Sequence, residues 1–261
     1  MQDVQNQTDQ RQIDIDRVGI RDLAYPLAVL DRQNGKQHVR AIIEMSVDLP
    51  HHFKGTHMSR FVEIINDFRE LLSLDKVHRL LLAMQERLQA DTANFTMQFT
   101  YFIEKLAPVS KKASLMPYEV TFSSSLKKSD FDFILALNVP VTTLCPCSKE
   151  ISNYGAHNQR SFVKVSVRYN DFIWLEEIIA WVEACASAEL YPLLKRPDEK
   201  YVTEHAYNHP QFVEDVVRDV ALKLNGEERV RWFRVAAENH ESIHAHNAFA
   251  VIERDKRQKD A

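Results

Sequence analysis

The sequence predicts an α+β protein made of two tandem ββααββ units with antiparallel sheets and paired helices on one face. Three observations carry that prediction. Hydrophobic alternation with a period of two gives way to helical spacing and then returns, and it does so twice along the chain. Asn34-Gly35, a strong hairpin signal, stands between the first two alternating runs. No low-complexity stretch separates the halves.

In chain order, Pro26 to Leu30 and His38 to Leu49 read as strands around that turn. In the second strand Val39, Ala41, Ile43, Met45, Val47 and Leu49 form one face. Ser59 to Leu72 takes helical spacing through Phe61, Ile64, Ile65 and Phe68, and a second helix carries Val77, Leu80, Leu81, Met84 and Leu88. Phe95 to Glu104 and Tyr118 to Ser123 alternate again. The second half starts with a strand over 131–141 and a partner through Val163, Val165 and Val167. Helices follow from about Trp174 to Leu190 and from about Pro210 to Leu224, with a charged loop, Lys195 to Lys200, between them. Trp232 to Ala237 and Ile243 to Ile252 close as strands. The expected layout is a tail over 1–17, units over 18–128 and 129–253, and a polar tail over 254–261.

A net charge of −4 gives no basic face for general nucleic-acid binding. Three cysteines, an odd number, point to reduced thiols rather than a disulfide framework. The Gln- and Asp-rich start is no signal peptide, and no apolar run approaches the ~18–20 residues of a membrane span. A cytoplasmic protein without membrane contact is expected. Only five glycines occur, and none falls in a GxGxxG or GxxxxGK[ST] pattern, which excludes Rossmann and P-loop sites at motif level.

The chemistry-bearing residues gather after the strand 131–141. Cys145-Pro146-Cys147 sits on a bend, because proline fixes one backbone angle and removes a donor. His157 ends the polar loop that follows. Taken alone, the two thiols read more readily as small buried hydrophobes than as a site. His244 and His246 are two apart on an expected strand and so share a face, ~6.5–7 Å apart, with Glu241 just upstream; a solvated strand face is the plain alternative. Glu199 lies in the charged loop, which is either a solvated turn or a carboxylate flanked by phosphate-holding cations. Glu214 lies beside the stripe Phe212, Val213, Val216, Val217 and Val220, either partly buried or paired with Arg218. Thiolate, imidazole and carboxylate around one ion with an open position would acidify a water. Those residues therefore point to metal-assisted hydrolysis of an anionic substrate.

Five segments add a resemblance. Gly55-Thr56-His57-Met58-Ser59-Arg60, Leu144 to Ile151, Gly155-Ala156-His157-Asn158-Gln159-Arg160, Leu194 to Glu204 and Glu241-Ser242-Ile243-His244 closely resemble the prokaryotic type IB GTP cyclohydrolases, over about residues 17–252. The resemblance implies a tunnelling fold, a homotetramer with active sites at subunit interfaces, and conversion of GTP and water to 7,8-dihydroneopterin triphosphate and formate, opening folate biosynthesis. By motif it makes Cys145, Glu199 and His244 ligands of one divalent metal ion per active site (Mn, Zn or Fe). His157 completes that set or acts as general acid/base. Glu214 anchors guanine, and Glu241 and His246 lie near the reacting ring. Charge makes Lys149, Arg160, Lys195 and Arg196 candidates for the triphosphate. The rivals are a nitrile reductase of the same fold, whose Glu-Ser-Lys-Ser-like motif is absent here, and a non-catalytic purine-binding module.

Overall fold

The structure, a computed structural model, describes residues 10–70 and 73–257. Strand β1 (Ile15–Asp31) pairs with β2 (Gly35–Leu49) in the register Asp31↔Gly35 and Leu27↔Val39. The turn closes because Asp31 Oδ1 accepts from the N–H groups of Gln33 (2.9 Å) and Asn34 (2.7 Å). Gly35 supplies the left-handed residue, φ +76°. Along β1 a second glycine has a different reason. A Cβ on Gly19 would stand 1.9 Å from the Met45 carbonyl oxygen, beside a register shift in the ladder.

Helices α1 (Met58–Asp67) and α2 (Leu74–Leu88) bury the stripes read from sequence, Phe61, Ile64 and Ile65 in one and Val77, Leu80, Leu81, Met84 and Leu88 in the other. The first helix stops at Asp67, short of the expected Leu72, which lies outside the described residues. Three long strands follow: β3 (Thr92–Leu106), β4 (Ala113–Lys127) and β5 (Asp130–Leu144). The rest of the chain is α3 (Pro146–Ile151), β6 (Asn158–Tyr169), α4 (Leu175–Glu183), β7 (Ala188–Glu189), α5 (Arg196–Asn208), α6 (Val213–Gly226), β8 (Val230–Asn239) and β9 (Ala248–Asp255).

Among the described residues, all nine strands join one antiparallel sheet, ordered β1-β2-β3-β4-β5-β6-β8-β9 with β7 on β5. This corrects the expected tunnelling fold of two tandem ββααββ units, each with its own sheet. The physical reason is the connection between the expected halves: only Lys128 and Ser129 separate β4 from β5, with Lys128 at φ 56°. A turn that short holds the strands together as a hairpin, so the ladder passes through without a break.

The chain forms two compact units, Met1–Thr100 with Thr121–Leu135, and Tyr101–Val120 with Ala136–Ala261. In the first, α1 and α2 cover β1 and β2 over Ala41, Ile43, Met45 and Val47. In the second, α6 lies on β8 and β9, over Phe233 and Val235. Of the expected tails, 1–9 and 258–261 lie outside the described residues, and Ile15 to Arg17 begin β1.

Helix α4 ends at Glu183 rather than near Leu190, since Ala188 and Glu189 pair with β5 as β7, and Glu183 turns inward. Its Oε1 accepts from Lys105 Nζ and from Tyr118 Oη, both at 2.7 Å, and Lys105 also holds Glu189 (2.8 Å) and the Leu190 carbonyl (3.0 Å). Burial pushes the Glu183 carboxyl up, against the pull of Lys105. No helix among the described residues is long and apolar enough to cross a membrane.

Candidate functional site

The site is built on the end of β5. Pro146 starts α3 and Cys145 is its N-cap, with Sγ accepting from the Ser148 N–H at 3.4 Å. The polar loop then folds back on this turn. Cys145 N–H donates to the His157 carbonyl (3.1 Å), and Ser148 Oγ accepts from His157 N–H (3.2 Å) while donating to the Cys145 carbonyl (3.2 Å). These bonds set His157 beside Cys145 at the start of β6. Cys145 is half-buried, Cys147 exposed and Cys185 buried, and burial pushes the Cys185 thiol up to about 11.

His157 is the centre of the arrangement. Its Nδ1 is 3.0 Å from Gln159 Oε1 and 4.0 Å from Glu241 Oε2, and the His157 and Glu241 side chains are 13% and 9% exposed. Its ring centroid is 6.4 Å from that of His244, which stacks on His246 at 5.2 Å. The loop 240–247 thus delivers Glu241, His244 and His246 together. It is not the expected strand. The β8–β9 ladder ends at Asn239↔Ala248, because Glu241 to Asn247 offers only Ile243 as a large apolar side chain, and that is 65% exposed.

The charged segment Lys195 to Lys200 is a correction of another kind, the first turn of α5 rather than a loop. Lys195 is its N-cap, and Arg196 and Pro197 open the helix. Asp198, fully buried, accepts from the N–H groups of Lys195, Val109 and Ser110, each at 2.8 Å, and from Ser110 Oγ at 2.6 Å. Burial would raise its carboxyl, but the bonds from Ser110, Lys195 and Val109 outweigh it and hold the group well below the usual carboxylate range. Glu199 next to it is exposed.

Glu214, in the first turn of α6, is exposed rather than partly buried, and Arg218 pairs with Asp215 (3.6 Å) in its place. Lys149 Nζ donates to the Tyr207 carbonyl (2.5 Å) and lies 4.4 Å over that ring. Arg160 is exposed at the rim of a cavity of about 360 Å³ with Glu119, Asn138, Phe162 and Tyr191. A second cavity, about 390 Å³, adjoins the Cys145 loop and is lined by Leu144, Tyr154, Gly155, Thr203 and Tyr207 among others.

Of the expected residues, Cys145, His157, Glu241, His244 and His246 therefore come together; among the described residues no hydrogen bond, ion pair or ring contact joins Glu199, Glu214, Lys195, Arg196 or Arg160 to them. No three His, Cys, Asp or Glu side chains among the described residues stand close enough to hold a metal ion. Sequence reasoning missed Thr143, Gln159, Ser161 and Asn239, which are buried and hydrogen-bonded behind His157. The signal for two of them was present, since Gln159 and Ser161 continue the inward row of Val163, Val165 and Val167 as polar side chains on an apolar face.

Comparison with known proteins decides the family. The model of type I GTP cyclohydrolase folE2 matches residues 1–250. The chain belongs to the type I GTP cyclohydrolase FolE2 family. GTP cyclohydrolase FolE2 of Geotalea uraniireducens is 56% identical over 259 residues, covering 99% of this chain and 95% of that relative. The FolE2 protein of Nitrosococcus oceani is 56% identical over 256 residues, covering 98% and 96%. Among solved structures, uricase from Arthrobacter globiformis aligns with TM-score 0.54 at 9% identity, over 94% of this chain and 95% of its own. Urate oxidase from Bacillus subtilis 168 gives 0.53 at 8%, over 92% and 99%. At such identity the likeness is one of fold alone. This FolE2 chain thus has a uricase-like sheet, and the tunnelling-fold part of the earlier resemblance is set aside.

Proposed function

We propose that the chain has GTP cyclohydrolase I activity, hydrolysing GTP to 7,8-dihydroneopterin triphosphate and formate in the first step of folate biosynthesis. The observation that carries the reading is the identity of about 55% to proteins named GTP cyclohydrolase FolE2 over nearly the whole chain. The convergence of His157, Glu241 and His244 beside Cys145 supports it.

Water adds to C8 of the purine, the imidazole ring opens to a formamide, a second hydrolysis releases formate, and the ribose carbons then rearrange and close the pterin ring with loss of one water. His157, half-buried and backed by Glu241, moves protons to and from the reacting nitrogens. Glu214 accepts from the guanine N1–H and 2-amino group, and its exposure in a single chain suits a site completed by a second copy. Lys149, Arg160, Lys195 and Arg196 supply positive charge for the triphosphate, and His246 flanks His244 near the ring. Cys145, Glu199, His244 and His157 are donors of the kinds that hold a divalent Mn, Zn or Fe ion, but among the described residues no three of them stand together within one chain; gathered in the assembly, they would hold an ion that acidifies water and polarises the attacked carbon. A cytoplasmic homotetramer with interfacial active sites is the assembly we assign.

The test is incubation of the purified protein with GTP and Mn²⁺, followed by assay of formate and of pterin fluorescence after oxidation. Stoichiometric formate and pterin are expected. Unchanged GTP would overturn the reading, and NADPH-dependent reduction of a purine-like nitrile would replace it with the reductase.

A further inference from the structure

Helix α5 ends on a pair of histidines that the catalytic reading does not use. His205 and His209 are four residues apart, the spacing that brings two imidazoles to one face of a helix and lets both reach one ion. The helical spacing holds to the end, since His209 N–H still donates to the His205 carbonyl at 3.1 Å. The two ring centroids stand 4.2 Å apart, with the planes at 31°. His205 also stacks on Tyr201, at 5.6 Å and 12°, so its ring is flanked on both sides.

The geometry suits a shared ion. Two ring nitrogens on one tetrahedral ion, each ~2.0–2.1 Å from it, are ~3.4 Å apart. Rings with centres 4.2 Å apart reach that separation by side-chain rotation alone, without moving the backbone. His209 Nδ1 lies 2.8 Å from the His205 carbonyl oxygen, which leaves Nε2 as the nitrogen open to an ion. A carbonyl behind the other nitrogen is the common support of a metal-bound imidazole. Among the described residues no hydrogen bond or ion pair engages the His205 side chain, so it can turn to meet the same ion.

Electrostatics point the same way. The pair sits at the C-terminal end of a 13-residue helix, where the partial negative charge of the last carbonyls favours a cation. Lys149 already uses that end, donating from Nζ to the Tyr207 carbonyl. Glu204, beside His205, is paired with Lys200 at 2.6 Å. No third His, Cys, Asp or Glu side chain among the described residues is close enough to join the pair, so water fills the other positions around an ion held there.

We propose that His205 and His209 form a second metal site, which takes a late divalent transition-metal ion, Zn²⁺ or Cu²⁺, on two imidazole nitrogens. Imidazole donors select such ions over Mg²⁺ or Ca²⁺. The donors are not those of the ion proposed above: among the described residues no hydrogen bond, ion pair or ring contact joins either ring to Cys145, His157, Glu199 or His244. Bound there, the ion ties two successive turns of α5 together and stiffens the end that Lys149 grips.

The test is equilibrium dialysis of the full-length protein against buffered Zn²⁺, with bound zinc counted by mass spectrometry. At a free zinc level that fills the site, His205→Gln and His209→Gln should each bind one ion fewer per chain than wild type. Affinity for that ion should fall about 100-fold, the gain that a second tethered donor gives. Cys145→Ala/His205→Gln should likewise bind one ion fewer than Cys145→Ala, which separates this site from the catalytic one. Equal zinc counts within either comparison would overturn the proposal. Both histidine variants should keep the wild-type melting temperature in the absence of metal, and GTP turnover with Mn²⁺ should be unchanged in them. A large loss of turnover would place the pair in the catalytic site and overturn its assignment as a second one. Electron paramagnetic resonance of Cys145→Ala with one equivalent of Cu²⁺ gives a readout independent of zinc counting and of turnover. Couplings from two imidazole nitrogens are expected, reduced to one by either histidine substitution; a spectrum that both substitutions leave unchanged would overturn the proposal.

Discussion

Cys145 and Cys147 stand two residues apart in different surroundings, and the difference predicts their behaviour. Cys145 caps α3, accepts the Ser148 N–H and is tied by its own N–H to the carbonyl of His157. Cys147 lies one position inside the helix and is exposed. Cys145→Ala should abolish formate release and strongly lower metal content, whereas Cys147→Ala should keep most of both; metal analysis and turnover of the two purified variants check this. Wild-type metal content in Cys145→Ala would remove that thiol from the ligand set. A thiol-alkylation time course at pH 8 should modify Cys147 first and leave Cys185 untouched, because burial pushes that thiol up to about 11. At this scale the sequence was a good guide where local pattern fixed position. The Cys-Pro-Cys bend was readable because proline constrains it, and His157 because a loop follows the strand. Gln159 was not singled out, since its partner Thr143 sits on another strand, β5, and the network they share ends on Asn239, bonded to Ser161 from a strand far away in sequence.

Single elements show where periodicity stops being informative. Helix α5 buries only Asp198 and Ala206, so it has no apolar stripe to betray it, and its start reads as a solvated charge run. Its N-terminus is fixed by the buried Asp198 carboxylate, which joins Lys195 to the β3–β4 turn at Val109 and Ser110. Melting temperatures should therefore fall in the order wild type, Ser110→Ala, Asp198→Asn, Asp198→Ala. The first substitution removes one bond, whereas the last strands three backbone donors. Equal melting temperatures for Asp198→Ala and wild type would deny α5 this clamp. In β1 the sensitive position is Gly19. A methyl there would meet a backbone oxygen that cannot rotate away, so Gly19→Ala should cost about 1–3 kcal/mol, measurable by denaturant titration. The β1–β2 turn was legible from Asn34-Gly35 alone. The loop 240–247 was not, because an alternation of His and small residues looks the same on a strand face or off it.

For the whole molecule, acid stability has a named contributor. The hydrogen bonds from Arg229 lower the Glu227 carboxyl to about 2, against burial, and Arg229 also holds Glu177 of α4 at 2.9 Å. A carboxyl that is lower in the folded state adds stability at any pH above its ordinary value of 4.5, and that stability is lost as the pH falls from there towards 2. Glu227→Gln should therefore melt below wild type at pH 7, with the gap closing between about pH 4.5 and 2. A gap that stays constant across this range would assign the effect to packing instead. At this scale the order of strands and helices in the first half was legible, since each element carries its own period. The joining of the strands into one sheet was not, because pairing across a two-residue turn depends on backbone geometry that hydrophobic pattern does not encode.

That Lys128-Ser129 turn also bears on how the gene could be divided. β3, β4 and β5 each pass through both compact units, so a chain truncated after Lys128 would carry β4 with its outer row of N–H and C=O groups bare. Such a half should be recovered as inclusion bodies when expressed by itself, and should become soluble only when the complementary fragment is co-expressed to restore the missing neighbour. A split reporter or a permuted form of this protein would accordingly be opened elsewhere, at an exposed tip such as Ser152 to Tyr154.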